Sequence, residues 1–252
     1  MKTNTFKTLV ISGILLFASS CEILQQAANE LPDEIKTNIP LSEQEVVSGL
    51  KEALRVSTDT SVKIVSKTNG FFKDKAIKIL LPPEAKVITD NKDNAALKAI
   101  GVSKLIDDVI LRINRSAENA SSKARPIFID AIKKMTITDA FKILNGADNA
   151  ATEYFRKTTY NKLYQAFSPI MKKALDKPLV ANISTTKSWN TLVSSYNKVA
   201  NYTSWKKVNT DLNDYATKKT IDGLFKKLAE EEKAIRHDPK ARVTDILKRV
   251  FN

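Results

Sequence analysis

Apolar residues recur every three or four positions along most of the chain after residue 42, the spacing that places them on one face of an α-helix. The clearest example starts just after Gly101. Its apolar face consists of Val102, Leu105, Ile106, Val109, Ile110, Ile113 and Ala117. No segment of useful length shows the alternation of a half-buried strand, and no internal repeat is visible. The pattern therefore predicts an all-α fold.

Capping and helix-breaking residues divide this pattern into separate helices. Ser42-Glu43-Gln44-Glu45 is a capping box and predicts that the first helix begins there. A second helix is expected from about Thr60 to Asn69, with Gly70 in the left-handed position that ends it. Residues 71–80 favour a buried short helix or turn. Further helices are predicted over 84–99, from 102 to about 118, over 123–135, from Thr136 or Thr138 to Gly146, over 149–167, between Pro169 and Pro178, over 188–200, over 210–235 and after Pro239. Residues 42–252 should thus form a single bundle-like domain of about eight to ten helices.

The first twenty-one residues have the layout of an export signal. Lys2 and Lys7 precede an apolar run over 9–18, and Ala18-Ser19-Ser20-Cys21 follows. The run is too short for a membrane-spanning helix, which needs about 20 apolar residues. The alternative is a chance cysteine after an ordinary cleavable signal, which would leave a reactive thiol in an exported protein. A cysteine at the cleavage point instead looks like a bacterial lipobox, although Ala18 stands where leucine is usual.

These features predict three segments in the chain. Residues 1–20 are the lipoprotein signal peptide, Cys21 is the lipidated first residue of the mature protein, and residues 21–41 form a tether. The absence of aspartate after Cys21, where Glu22 stands, favours the outer membrane, with the domain facing the periplasm. The predicted location is therefore the cell envelope.

The chain is strongly basic, with a formal net charge of +13. Lys2 and Lys7 contribute two of these charges, so the chain from Cys21 onward carries +11. Export argues against nucleic acid as the partner. Anionic phospholipids, anionic glycans and acidic envelope proteins are the partners that such a charge would attract. The alternative is a solvated basic surface that only maintains solubility.

Few residues suggest catalysis, a metal or a cofactor. His237 is the only histidine and Cys21 the only cysteine, so we expect no zinc site and interpret His237 as a surface residue. The five glycines beyond Cys21 are too far apart for a phosphate-binding loop, and no cofactor is predicted. Glu230, Glu231 and Glu232 are expected on a solvated helix face, pairing with Lys226, Lys227 and Arg236.

A group of polar residues in the central helices is the candidate site. It consists of Asn114, Arg115, Glu118, Asp139, Thr152, Glu153 and Arg156. Two carboxylates in one cleft, with Glu118 and Glu153 as the pair to test, could hydrolyse a glycan by general acid–base catalysis. Ion pairs and helix caps explain the same residues without any ligand, and this structural interpretation is preferred.

Several motifs together resemble a known bacterial family. They are Asn114-Arg115-Ser116-Ala117-Glu118, Pro126-Ile127-Phe128, Asp139-Ala140, Ala150-Ala151-Thr152-Glu153-Tyr154-Phe155, Asp222-Gly223-Leu224-Phe225, Glu231-Glu232 and Leu247-Lys248-Arg249-Val250-Phe251. Over residues 42–252 the chain resembles the bacterial domain of unknown function 4197, with Ser116 where alanine is expected. The resemblance implies an exported helical protein. That family has no assigned activity, so the resemblance implies no catalytic residue.

The function predicted from these observations is a non-catalytic binding or scaffold module of the cell envelope, anchored to the membrane through its N-terminal lipid. Its ligand would be an anionic lipid, a glycan or another envelope protein. The alternative is an envelope glycan hydrolase that uses a carboxylate pair, and a structural spacer without a small ligand is a third interpretation.

Overall fold

The computed structural model describes residues 41–86, 102–180, 183–200 and 211–251. The predicted signal peptide, Cys21, the tether up to residue 40, most of the predicted helix 84–99 and the predicted loop after residue 200 lie outside these ranges. The described residues are largely helical, which confirms the all-α prediction. Their helices are α1 (Glu43–Ser66), α2 (Val102–Ser121), α3 (Ala124–Lys134), α4 (Ile137–Leu144), α5 (Ala150–Leu175), α6 (Thr185–Ala200), α7 (Leu212–His237) and α8 (Asp245–Val250).

Short elements connect some of these helices. Two 3₁₀ turns span Pro83–Ala85 and Pro239–Ala241. Between α5 and α6, β1 (Pro178–Val180) pairs antiparallel with β2 (Ile183–Ser184). These strands of three and two residues are too short for the alternation of apolar and polar positions to reveal them.

α1 is one continuous helix where the sequence predicted two. The capping box at its start is present, with Ser42 Oγ accepting from Glu45 N–H and the Glu45 carboxylate accepting from Ser42 N–H. Its polar middle does not interrupt the helix, because two of its buried hydroxyls donate to carbonyls of the preceding turn. Ser57 Oγ donates to the Ala53 carbonyl at 2.5 Å and Thr58 Oγ1 to the Leu54 carbonyl at 2.6 Å. Both side chains can therefore be buried without losing their hydrogen bonds.

α5 runs through Pro169, which was expected to start a separate short helix. A proline inside a helix removes the hydrogen bond to the carbonyl four residues earlier, here that of Gln165. Both Pro169 and Gln165 are exposed, so water can solvate the freed carbonyl and the helix continues.

The end of α1 also differs from the prediction. The helix stops at Ser66, and the left-handed residue is Asn69, with φ of 69°, rather than Gly70. Asparagine tolerates this conformation better than most residues. Gly70 is needed for a different reason, because a Cβ there would collide with the carbonyl oxygen of Ile64. The chain then continues to residue 81 in turns, without a helix.

α5 and α7 lie against each other at the centre of the domain, and α1 and α2 also pack on α7. Phe128, Phe155 and Phe225 meet edge to face between α3, α5 and α7, with the Phe128 centroid 5.1 Å from that of Phe155 and 6.0 Å from that of Phe225. Among the described residues, the buried side chains of the core lie at or beyond Leu50. They all belong to the compact unit Ser42–Asn252. Within the described ranges, no helix combines the length and the apolar character needed to cross a bilayer.

Candidate functional site

The predicted polar residues on α2 hold the backbone of the segment 69–79. Asn114 is fully buried, and its side chain pairs with Ile79 on both sides. Asn114 Oδ1 accepts from Ile79 N–H at 2.9 Å, and Nδ2 donates to the Ile79 carbonyl at 2.7 Å. Nδ2 also donates to the Ile110 carbonyl of its own helix at 2.7 Å. The side-chain amide of Asn114 thus satisfies the buried N–H and carbonyl of Ile79, as a neighbouring strand would in a sheet.

Glu118 and Arg115 fix the start of the same segment. Glu118 Oε1 accepts from the backbone N–H groups of Phe71 and Phe72, both at 3.2 Å. Its Oε2 accepts from Arg115 Nη1 at 2.6 Å, and Arg115 Nη2 donates to Asn69 Oδ1 at 2.8 Å. Both oxygens of this buried carboxylate are therefore engaged inside the protein.

Thr152 belongs to a second cluster, centred on Glu232, whose burial the sequence analysis did not predict. Glu232 was expected on a solvated face, but it is only 5% exposed. Its Oε2 accepts from Thr152 N–H and Oγ1, and its Oε1 from Ala151 N–H, all at 2.9 Å. Arg236 Nη2 pairs with Oε1 at 3.0 Å. Glu232 thus places a negative charge on the free N–H groups at the start of α5, where the helix dipole favours it.

The spacing along α7 could have revealed this burial. Glu232 follows Leu228 by four residues and precedes Ile235 by three, so it shares their apolar face. The other expected pair in this run is present, because Lys227 Nζ lies 2.7 Å from Glu230 Oε2. Glu231 is partly buried, and that burial, together with the neighbouring Glu230, raises its pKa.

The remaining predicted residues lie in other places. Asp139 completes a capping box with Thr136 at the start of α4. Arg156 forms an ion pair with Asp222 at 3.1 Å and lies over the Phe225 ring, 4.6 Å from its centroid. Glu153 is exposed in the first turn of α5. No hydrogen bond or ion pair among the described residues joins these groups to one another or to the clusters of Glu118 and Glu232, so the seven residues do not form one site.

Glu232 stabilises a helix N-terminus, and arginines stabilise helix C-termini in the same way, because the free carbonyls there carry partial negative charge. Arg112 donates to the carbonyls of Ala174, Lys177 and Pro178 at the end of α5. Arg236 donates to the Ile143 and Leu144 carbonyls at the end of α4, and Arg242 to the Ile235 and Arg236 carbonyls at the end of α7. Among the described residues, the buried charges of Glu118, Glu232 and Arg242 therefore hold helix ends and the segment 69–79.

His237 ends α7 at the surface, as the sequence analysis expected. Its Nε2 lies 2.6 Å from Asp148 Oδ1, and both side chains are more than half exposed. The hydrogen bond to His237 lowers the pKa of Asp148. Within the described ranges, no three His, Cys, Asp or Glu side chains are close enough to hold a metal ion.

The described residues form an open groove between the segment 76–83 and α7. We call it the basic groove. Its volume is about 450 Å³, within the range of about 300–1,000 Å³ common for small-molecule sites. One wall is formed by residues 76–81 and Pro83, and the other by Tyr215, Lys219, Asp222, Gly223 and Lys226 of α7.

Close packing fixes the two walls against each other. A Cβ at Gly223 would lie 2.6 Å from Phe71 Cε1 and 3.2 Å from Ile77 Cβ, so only glycine lets the segment approach α7 this closely. Lys227 forms an ion pair with Asp74 at 2.7 Å. Burial alone would raise the pKa of Asp74, but hydrogen bonds from Lys227 and from Ala76 N–H outweigh it and lower that pKa. The groove is thus formed by a well-held segment.

The groove is basic because its lysines outnumber its carboxylates. Lys78, Lys219 and Lys226 line it, against Asp222, which already pairs with Arg156. Lys78 Nζ lies 4.3 Å from the Phe72 centroid, Lys219 Nζ lies 5.9 Å from the Tyr215 centroid, and Lys226 Nζ donates to the Ala76 carbonyl at 3.3 Å. In the described part of the chain, none of the three forms an ion pair with a carboxylate.

Comparisons with known proteins give the family. A search of curated proteins and a search of solved structures each return no match. A family model described as "Protein of unknown function (DUF4197)" matches residues 40–252, which is most of the chain and includes all of the helices above. The chain therefore belongs to the DUF4197 family.

Proposed function

We propose that this protein is a lipoprotein of the cell envelope, anchored through acylated Cys21 to the outer membrane and facing the periplasm, and that it acts as a non-catalytic module which binds anionic molecules in the basic groove. The groove itself is the observation that carries the proposal. It combines a volume suited to a ligand with three lysines that form no ion pair with a carboxylate in the described part of the chain. The net charge of +11 from Cys21 onward supports the same class of ligand.

The contacts of Glu118 count against the alternative, an envelope glycan hydrolase that uses Glu118 and Glu153. A general acid or base must reach the bond being cleaved, directly or through one water. Both Glu118 oxygens instead accept hydrogen bonds from Arg115 and from two backbone N–H groups. No observation favours catalysis over binding.

The anchor makes a prediction for the protein in cells. Cys21→Ser should abolish incorporation of an acyl label and leave the signal peptide attached, because serine offers no thiol for lipidation. Metabolic labelling with an alkyne fatty acid, followed by gel mobility, measures both effects. The matched variant Ala18→Leu, which has the residue usual at that lipobox position, should keep the label. Equal labelling of the serine variant would contradict the anchor.

The groove makes a prediction for the chain from residue 22 to residue 252, which retains every core residue that the structure describes. This chain should co-sediment with vesicles that contain phosphatidylglycerol more than with pure phosphatidylcholine, and less so as salt rises. Lys219→Gln/Lys226→Gln should weaken this binding about 30-fold, since each lysine near an anionic surface contributes about 1 kcal/mol.

A matched double variant separates the groove from general charge. Lys157 and Lys173 are exposed on α5 and do not line the groove. Lys157→Gln/Lys173→Gln removes the same charge and should reduce vesicle binding far less. Equal losses in the two double variants, or equal sedimentation with both kinds of vesicle, would contradict binding through the groove.

A further inference from the structure

The basic groove has an apolar side as well as a charged one. Leu80 is 56% exposed, one of only three large hydrophobic side chains so exposed among the described residues. It lies in the groove wall beside the partly exposed Leu81 and Pro83. A leucine held this far in water gains free energy when an apolar group covers it. The groove therefore offers a surface that an anion without an apolar part would leave uncovered.

Two of the three lysines, Lys219 and Lys226, lie along the opposite wall at helical spacing. Lys219 and Lys226 are seven residues apart, with Asp222 and Gly223 between them, so they share one face of α7. Both are exposed. Their ammonium groups can therefore reach an anionic group at the mouth of the groove while an apolar chain lies against the facing wall.

The apolar wall is fixed in position before any ligand arrives. Asn114 holds Ile79 by both backbone groups, and Tyr215 Oη lies 3.5 Å from the Leu81 carbonyl. Leu80 lies between these two points of attachment. A pre-formed wall avoids the entropy cost of ordering a loop on binding.

We propose, on the basis of the function above, that the basic groove binds one anionic phospholipid of the membrane, with one of its acyl chains on the wall of Leu80, Leu81 and Pro83 and its phosphate at Lys219 and Lys226. Charge complementarity and the exposed apolar wall together favour a ligand with both parts. The tether allows this, because the 20 residues between Cys21 and Ser42 can span up to about 70 Å when extended.

Three monomeric probes test the two parts separately, by isothermal titration calorimetry on the chain from residue 22 to residue 252. Lysophosphatidylglycerol carries chain and phosphate, a monoacylglycerol of the same length lacks the phosphate, and glycerol 3-phosphate lacks the chain. We expect saturable binding of the first, about 30-fold weaker binding of the second, and more than about 100-fold weaker binding of the third.

Matched variants assign the binding to the groove. Lys219→Gln/Lys226→Gln should weaken lysophosphatidylglycerol binding about 30-fold, and Leu80→Ser about tenfold. Val243 is 66% exposed but does not line the groove, so Val243→Ser should leave the affinity unchanged, as should Lys157→Gln/Lys173→Gln.

Each contrary result has a distinct meaning. If glycerol 3-phosphate bound as tightly as lysophosphatidylglycerol, the lipid assignment would be overturned and the proposed anionic ligand would stand. If the monoacylglycerol bound as tightly as lysophosphatidylglycerol, both the lipid assignment and the proposed anionic ligand would be overturned. Vesicle binding that depends on the lysines, without saturable lysophosphatidylglycerol binding, would overturn the lipid assignment alone.

The occupant of the groove can also be captured directly. Leu80→photo-leucine, irradiated with lysophosphatidylglycerol, should give a protein–lipid adduct in mass spectrometry. A cross-link to another part of the same chain, or to a second copy, would overturn the assignment.

Discussion

Replacing Glu232 by alanine lowers the free energy of unfolding by about 3–5 kcal/mol, the range expected when one partner of a buried ion pair is removed. The change leaves the N–H groups of Ala151 and Thr152 and the hydroxyl of Thr152 without their acceptor. It also leaves the positive charge of Arg236 in the interior without its carboxylate. Urea denaturation of the chain from residue 22 to residue 252, followed by circular dichroism, measures the difference.

Glu230→Ala is the matched control for this prediction. Glu230 lies on the same helix, is exposed and pairs with Lys227 at the surface. Its loss should change the free energy of unfolding by no more than about 1 kcal/mol. A Glu232 variant as stable as the Glu230 variant would mean that the carboxylate does not hold the start of α5.

Replacing Asn114 by alanine lowers the free energy of unfolding by about 2–4 kcal/mol, because the Ile79 N–H and carbonyl both lose their buried partner. The same change should weaken binding of phosphatidylglycerol vesicles, although Asn114 does not line the basic groove. Asn114 is a positioning residue, and the wall that carries Leu80 depends on its hydrogen bonds. Urea denaturation and vesicle co-sedimentation, both at a temperature where the variant is folded, measure the two effects.

Two further variants separate positioning from general loss of stability. Asn119 lies on the same helix but is exposed, so Asn119→Ala should change neither stability nor binding. Glu232→Ala destabilises the domain at α5 without a contact to the groove wall, so the variant should bind vesicles normally once folded. Unchanged binding by the Asn114 variant would contradict the role of this amide in shaping the groove.

The helices themselves were largely predictable from local pattern. The capping box at Ser42 and the apolar face of α2 are short-range features, and both are present. Of the two caps considered for α4, Thr136 is the one that the structure has. The predicted helix boundaries were wrong in α1 and α5, where burial and exposure in the folded domain decide whether the helix continues. The buried hydroxyls of Ser57 and Thr58 find acceptors in α1 itself, and Pro169 in α5 faces water. Neither circumstance can be read from the sequence before the burial of these positions is known.

The candidate site was predicted less well, for a related reason. Seven polar residues of the central helices were grouped, but the structure distributes them among a helix cap, an ion pair with α7, the segment 69–79 and the start of α5. The partners of Asn114 and Thr152 are 35 and 80 residues away, at Ile79 and Glu232. The basic groove was missed because residues 71–80 read as buried, whereas Lys78 and Leu80 face the groove formed with α7. Only the approach of that segment to Gly223 brings these side chains together.

Native mass spectrometry tests the central claim, that the basic groove and not the polar residues of α2 and α5 binds the ligand. The chain from residue 22 to residue 252 would be exported to a bacterial periplasm and purified without detergent. The account predicts an added mass identified as an anionic phospholipid, lost in Lys219→Gln/Lys226→Gln and retained in Lys157→Gln/Lys173→Gln. A bare protein mass, or a lipid retained equally by both double variants, would contradict it.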